Sequence, residues 1–397
     1  VLAPAQARPC GGMIFPNHEQ RVGGMSDQEL LLAFAADRTV LVASAAYDGV
    51  DAADFAFLLP LSANPTEVLD ADPALFIALD EQTAPRVSIY LDEDEAPGLG
   101  CGAKAAPGSD SNSLGEGGQV MVEQRGETAT YQWVVLGGDT GTAIADWLTD
   151  EGYTLPPDYA AAIDPYVASG WFFFAAKVSP RAQGAALAPI ELHLPPSPVE
   201  AFEIPFGIAG QSLLPGGTLG ITTYVWSDGA ALPDNQASGQ IDPDEVVALS
   251  DSESNYDELE RAVLEGDPDG TWLVDYSRNT SVEELNDAYG MALDYGRVDP
   301  ATSHGLFIDA FFGRLGATTG HITRLRTELS AAQLHDLRLR RSADLPVTNT
   351  YAVTFREDDD ASRCAVGRDP GRLPPVLLLL LPALLQLRPR RRRAGHT

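Results

Sequence analysis

Apolar residues in this chain fall into short blocks separated by polar punctuation, a rhythm closer to strands than to long amphipathic helices. Residues 30–34 and 40–46 flank the polar pair Asp37-Arg38 and predict a hairpin; residues 55–59, just before Pro60, predict a short buried strand, and 87–90 another. Residues 92–118 lack any periodicity and predict a long loop. Residues 119–123 and 130–136 then alternate as strands. The period changes at 142–151, where Ile144, Trp147 and Leu148 share one helical face and Gly152 is placed to cap the end, and 158–168 repeats that design. Trp171-Phe-Phe-Phe-Ala-Ala-Lys-Val178 is a continuous apolar run, expected as a central strand buried on both faces. Strands are expected at 189–194, 202–206 and 218–226; from residue 257 onward helical segments such as 258–264 and 282–289 predominate, and 325–339 closes the folded part. No repeat recurs. The fold class is α+β, a β-rich N-terminal part followed by mixed strands and helices.

The last tenth of the chain breaks from this pattern. Residues 373–387 are apolar and are followed by Arg388, Arg390, Arg391, Arg392 and Arg393, with Cys364 upstream. As a helix the apolar run would reach roughly 22 Å, short of the roughly 30 Å hydrocarbon core. Arginine is costly in hydrocarbon and concentrates on the cytoplasmic side, so the cluster should stop transfer and leave the preceding residues outside. The organisation expected is a signal remnant at 1–7, an extracytoplasmic α+β region at 8–355 (one domain, or two subdomains meeting near 115–138), a linker at 356–372, a membrane segment at 373–387 and an arginine-rich cytoplasmic tail at 388–397. The remnant rests on the A-x-A pattern ending at Ala7.

Three cysteines fit an oxidising compartment if two pair. Cys10 and Cys101 both lie beside glycines and form the preferred pair; the disulfide would close a loop of about 90 residues and stabilise the fold by roughly 4 kcal/mol. The alternative is two free buried thiols. Formal net charge is −31, so nucleic acid and anionic membrane surfaces would repel the chain. Its lysines are Lys104 and Lys177, and nearly all positive charge is arginine.

Two resemblances add to this. The Cys364, apolar run and arginine cluster resemble the C-terminal sorting signal of myxobacterial surface proteins, which implies that Cys364 is the processing or attachment residue and that a sorting protease is a partner. Arg368, Asp369 and Arg372 depart from that pattern by separating the cysteine from the run, and Pro374, Pro375 and Pro382 interrupt it; the other reading is a plain membrane anchor with an incidental cysteine. Cys10-Gly-Gly12, Asp54-Phe-Ala-Phe-Leu-Leu-Pro60, Thr83-Ala-Pro85, Gly100-Cys-Gly102, Trp147-Leu-Thr-Asp-Glu-Gly-Tyr153, Trp171-Phe-Phe-Phe-Ala-Ala-Lys177, Pro189-Ile190, Ile204-Pro205 and Ile322-Thr-Arg-Leu-Arg326 resemble, in that order, the DUF2330 family of exported bacterial proteins. The resemblance spans about residues 10–350. It implies export and fold kinship and carries over no catalytic residue.

Catalytic signatures are sparse. The histidines stand at 18, 193, 304, 321, 335 and 396 without an H-E-x-x-H pair, and Gly210-Gln-Ser212 continues into Leu213-Leu214 rather than completing a nucleophile elbow. Asp267-Pro-Asp-Gly270 opens like a calcium loop, but Arg278 occupies its twelfth position; counted from Asp242, Val247 takes the place that needs glycine. No cofactor is expected, an irregular calcium site between acidic loops being the one metal chemistry left open. Two function classes remain: a non-enzymatic binding or structural component of the cell envelope, anchored through its C-terminus, which is favoured; and a surface hydrolase with a non-local active site, marked by an acidic cleft beside His193, His304 or His321.

Overall fold

Each residue of Leu30-Leu-Leu-Ala33 is fully buried, yet neighbours join different cores, because successive strand side chains point to opposite faces of a sheet. That fact organises the molecule. The computed structural model describes residues 12–14, 24–48, 56–91, 121–151, 155, 159–179, 187–298, 306–342 and 345–355. The described residues between 12 and 355 belong to one compact unit. Cys10, Cys101, Cys364, the 92–118 loop, the 373–387 run and the arginine cluster lie outside the described residues. No described helix is long and apolar enough to cross a membrane.

In chain order the first strands are β1 (Gly12–Ile14), β2 (Gly24–Phe34), β3 (Thr39–Asp48), β4 (Ala56–Leu61) and β5 (Glu67–Asp70). The expected hairpin is present, with Ala35 N donating to Arg38 O across the turn at 2.9 Å. Strand β4 runs through Pro60 instead of stopping before it. Pairing with β1 ends at Leu58, so the missing N–H of Pro60 falls where β1 demands no donor. Helix α1 (Ala74–Thr83) and β6 (Arg86–Leu91) follow, then β7 (Met121–Glu127), β8 (Tyr131–Gly137), α2 (Gly141–Asp150), α3 (Tyr159–Ala168), β9 (Phe172–Val178), β10 (Ile190–Leu194), β11 (Glu203–Ile204) and β12 (Thr218–Ser227). The chain continues through β13 (Ala230–Pro233), β14 (Ala237–Gly239), α4 (Tyr256–Leu264), β15 (Thr271–Ser281), α5 (Val282–Asp294), α6 (Phe307–Arg314), β16 (Thr319–Ser330), β17 (Leu337–Ser342) and β18 (Thr350–Phe355).

Strand exceeds helix and the two are mixed, so the α+β class holds. The helical expectation after residue 257 needs correction. Helices α4 and α5 are present, but 271–281 and 319–330 are long strands, and 325–339 contains the end of β16 and the start of β17. Strand β16 sits between β12 and β15, paired with both along most of its length. Two ladders of backbone hydrogen bonds outweigh the helix propensity of its leucines and arginines.

An eight-stranded sheet, ordered β14-β15-β16-β12-β2-β3-β10-β5, stands face to face with a five-stranded antiparallel sheet, ordered β1-β4-β9-β8-β7. Leu30, Leu32, Leu41 and Leu192 of the large sheet meet Leu59, Tyr131, Val135 and Phe174 of the small one. On its other face the large sheet buries Leu31, Val40, Val42, Tyr224 and Ile322 under α1, α5 and α6. The small sheet packs Leu58, Leu136 and Phe173 against α2 and α3. Four layers result, helices outside and sheets within. The run at 171–178 is indeed a central strand buried on both faces, as β9.

Candidate ligand groove under helix α2

Helix α2 begins where Thr140 Oγ1 accepts from Ala143 N at 3.1 Å, an N-cap that fixes the entry of the chain. Gly141 N donates to Asp164 Oδ1 at 2.7 Å, and a Cβ at Gly141 would come within 2.3 Å of Ala160 O. Glycine is therefore required for the close approach of α2 to α3. Ile144 and Leu148 of α2 bury against the small sheet, which leaves Trp147 and Glu151 over the strand face nearer β7.

Between that end of α2 and the sheet lies a groove of about 350 Å³. Val134 and Ala175 form its apolar floor with the Trp147 indole beside them, while Arg125 and Glu127 of β7 and Gln132 of β8 stand along its other side. These strand positions share one face: Arg125 pairs with Val134 and Glu127 with Gln132 across the β7–β8 ladder, and Gln132 with Lys177 across β8–β9. Gly126, opposite Trp133, has no side chain because the indole occupies that space; a Cβ there would lie 2.4 Å from Trp133 Cζ2. Trp133 in turn stacks on Phe174, with ring centroids 5.9 Å apart.

Lys177 Nζ donates to the Glu151 carbonyl oxygen at 3.0 Å. Burial lowers the lysine pKa and the neighbouring Glu151 charge opposes the shift, so the amine is less strongly protonated than an exposed lysine. Trp147 and Glu151 from one string that carried the DUF2330 resemblance, and Ala175, Ala176 and Lys177 from another, thus line one groove. Each was legible by itself. Their meeting was not.

Residues 4–196 match the DUF2330 family, described as "Uncharacterized protein conserved in bacteria". The DUF2330 match contains every residue of the groove. No curated protein matches the chain. Among solved structures, baculovirus P35 is similar at 10% identity over 81% of this chain and 98% of its own, with a TM-score of 0.30. A mutated baculovirus P35 after caspase cleavage gives 11% identity, 54% and 78% coverage and a TM-score of 0.28, and the caspase-8/P35 complex gives 8%, 79%, 96% and 0.31. At those TM-scores the likeness carries no argument beyond the DUF2330 match.

The histidines that sequence singled out divide between a position outside the described residues and hydrogen-bonded positions within them. His304 lies outside the described residues, as do His18 and His396. His193 is 1% exposed; its Nε2 lies 2.7 Å from Glu191 Oε1, and Arg38 Nη1 lies 3.3 Å from its Nδ1. Arg314 Nη2 donates to both oxygens of Glu191 at 2.7 Å. The acid beside a histidine is present there, but it sits between β10 and α6 rather than in an open cleft. His321 Nε2 lies 2.9 Å from Ser277 Oγ and its Nδ1 lies 3.2 Å from Asn279 Oδ1. The tautomer that satisfies both contacts carries the proton on Nδ1 and accepts from the serine. Ser277 is 0% exposed and its backbone is bridged to Val347 in both directions at 3.0 Å.

Ser212 of the failed elbow is buried in a 3-10 turn at Gly207–Ser212. Asp267–Gly270 closes as a turn, with Gly270 N donating to Asp267 O at 3.0 Å and Gly270 at φ +96°. Among the described residues, no three His, Cys, Asp or Glu side chains are grouped to hold a metal ion.

The fold also assembles a chain of alternating charges that no local sequence pattern marks. Arg86 pairs with Glu81 (2.7 Å), Glu81 with Arg297, Arg297 with Asp80 (2.8 Å) and Asp80 with Arg324 (2.9 Å). Arg324 approaches Asp275 at 3.7 Å, Asp275 takes Arg326 at 2.8 Å, and Arg326 reaches Glu260 at 2.5 Å. The path joins α1, the large sheet and α4. Burial works against the charge on Arg326, but its hydrogen bond to Glu260 and the charge of Asp275 outweigh that and raise its pKa above the ordinary arginine value. These residues bind one another, and the network is a clamp.

Proposed function

We propose that the chain is an exported cell-envelope protein, held at the membrane through its C-terminal segment, whose α+β region binds a small ligand in the groove under α2 without chemical turnover. The observation that carries this reading is the convergence of the Trp147 and Lys177 strings on one groove of about 350 Å³, which falls within the 300–1,000 Å³ range of small-molecule sites. A fragment library screened against the full-length chain by ligand-observed NMR tests it. Hits are expected that disappear in Gln132→Trp, whose indole fills the groove from its rim. Hits that survive this substitution unchanged, or no hits at all, would remove the groove as a binding site.

Anchoring is tested separately. Cys364 followed by an apolar run and five arginines supports processing at the cysteine, with a sorting protease as partner. Expressed in a myxobacterial host, the wild-type chain is expected to show a mature C-terminus near Cys364 by mass spectrometry, and Cys364→Ser to keep its arginine tail. An intact tail in both would leave a plain anchor.

One observation favours the hydrolase as a second reading: Ser277, His321 and Asn279 are ordered as nucleophile, base and orienting acceptor. A fluorophosphonate probe distinguishes a catalytic serine from a polar ladder across β15 and β16. Because Ser277 is fully buried, no labelling is expected. Labelling lost in Ser277→Ala would establish the hydrolase instead.

A further inference from the structure

The charges around the groove balance. Arg125 and Lys177 supply two cations, and Glu127 and Glu151 two carboxylates. A ligand with one net charge gains from one pair what it loses to the other, while the chain as a whole, at −31, opposes anions. A neutral group that both donates and accepts loses nothing: hydroxyls can take hydrogen bonds from guanidinium and ammonium, give them to carboxylates, and do either with the Gln132 amide. The remaining surface is apolar and partly aromatic, with Val134, Ala175 and Trp147 side by side. Alternating polar rim and apolar floor is the complement of a pyranose ring, which presents hydroxyls around its edge and C–H bonds on its faces.

We propose that the groove binds a neutral saccharide, the terminal one or two rings of a surface glycan, with its C–H face over Val134, Ala175 and Trp147 and its hydroxyls on Gln132, Lys177 and the flanking carboxylates. This rests on the reading of the groove as a binding site and names its ligand class. The volume limits the bound portion to a short terminus, so affinity for free sugar is weak and the surface supplies many copies.

Saturation-transfer NMR on the full-length chain is the test, with cellobiose, maltose and N,N′-diacetylchitobiose as neutral probes and glucosamine and galacturonic acid as charged ones. At least one neutral disaccharide is expected to receive saturation at about 10 mM, above a dissociation constant of about 1 mM. Its binding should weaken about tenfold in Gln132→Ala, equivalent to roughly 1.4 kcal/mol, and more in Lys177→Met. Saturation of the charged sugars alone, or neutral binding indifferent to both substitutions, would overturn the proposal. If fragments occupy the groove and no neutral saccharide does, the ligand class falls and the binding site stands. If neither binds, both fall.

Discussion

Asp275→Ala is expected to lower the unfolding free energy by about 3–5 kcal/mol, the cost of removing one partner from a buried charge network. Asp275 is 1% exposed and lies between two guanidinium groups; Arg324 is itself buried, with Nε and Nη1 lacking hydrogen-bond acceptors even in the wild-type chain. Deleting the carboxylate leaves an alternating chain with one excess buried cation. Arg326 keeps Glu260 and Arg324 keeps Asp80, so the loss should stop short of unfolding the domain. The opposite end of the same chain provides the control. Arg86 is 43% exposed, and Arg86→Ala should cost no more than about 1 kcal/mol. Denaturant midpoints at unchanged m-value measure both. Equal effects at the two positions would mean that burial does not set the strength of this network.

How much of this was legible follows from how local each signal is. The hairpin at 30–46 and helix α2 were readable because their periods are set within a dozen residues: apolar blocks around Asp37-Arg38 in one case, Ile144, Trp147 and Leu148 in the other. Helix α1 has no such local signature. Its run Ala74-Leu-Phe-Ile-Ala-Leu79 is apolar all round because it is wedged against the large sheet, so it has no polar stripe to reveal a helical period. Strand β16 was misread for a related reason. Ile322 faces the helices and Leu325 the small sheet, so the strand is buried on both sides and its alternation is blurred, while its arginines enter a buried network that looks like surface charge in the sequence. The groove shows the same limit. Gly126 and Trp133, Trp147 and Glu151, and Lys177 are separate strings until antiparallel pairing and the α2–α3 contact bring them together.

The second large effect concerns β9, where the sequence was most informative. Phe173→Ala and Phe174→Ala are each expected to cost about 3–5 kcal/mol, the range for truncating a fully buried aromatic. In a sheet with one solvated face, only one of two adjacent residues would carry that penalty, because neighbours point to opposite sides. Here both are 0% exposed: Phe173 lies in the core beneath α2 and α3, and Phe174 lies between the sheets against Trp133. The two losses should nevertheless differ in their consequences. Phe174→Ala removes the ring on which Trp133 stacks and should shift that part of the tryptophan fluorescence, with the α2 packing intact. Phe173→Ala removes support beneath α2 and should weaken fragment binding in the groove even in the folded protein. Denaturant unfolding monitored by circular dichroism gives the two free energies. A large cost at one position and a negligible cost at its neighbour would show a single buried face and would dismantle the four-layer arrangement on which the groove depends.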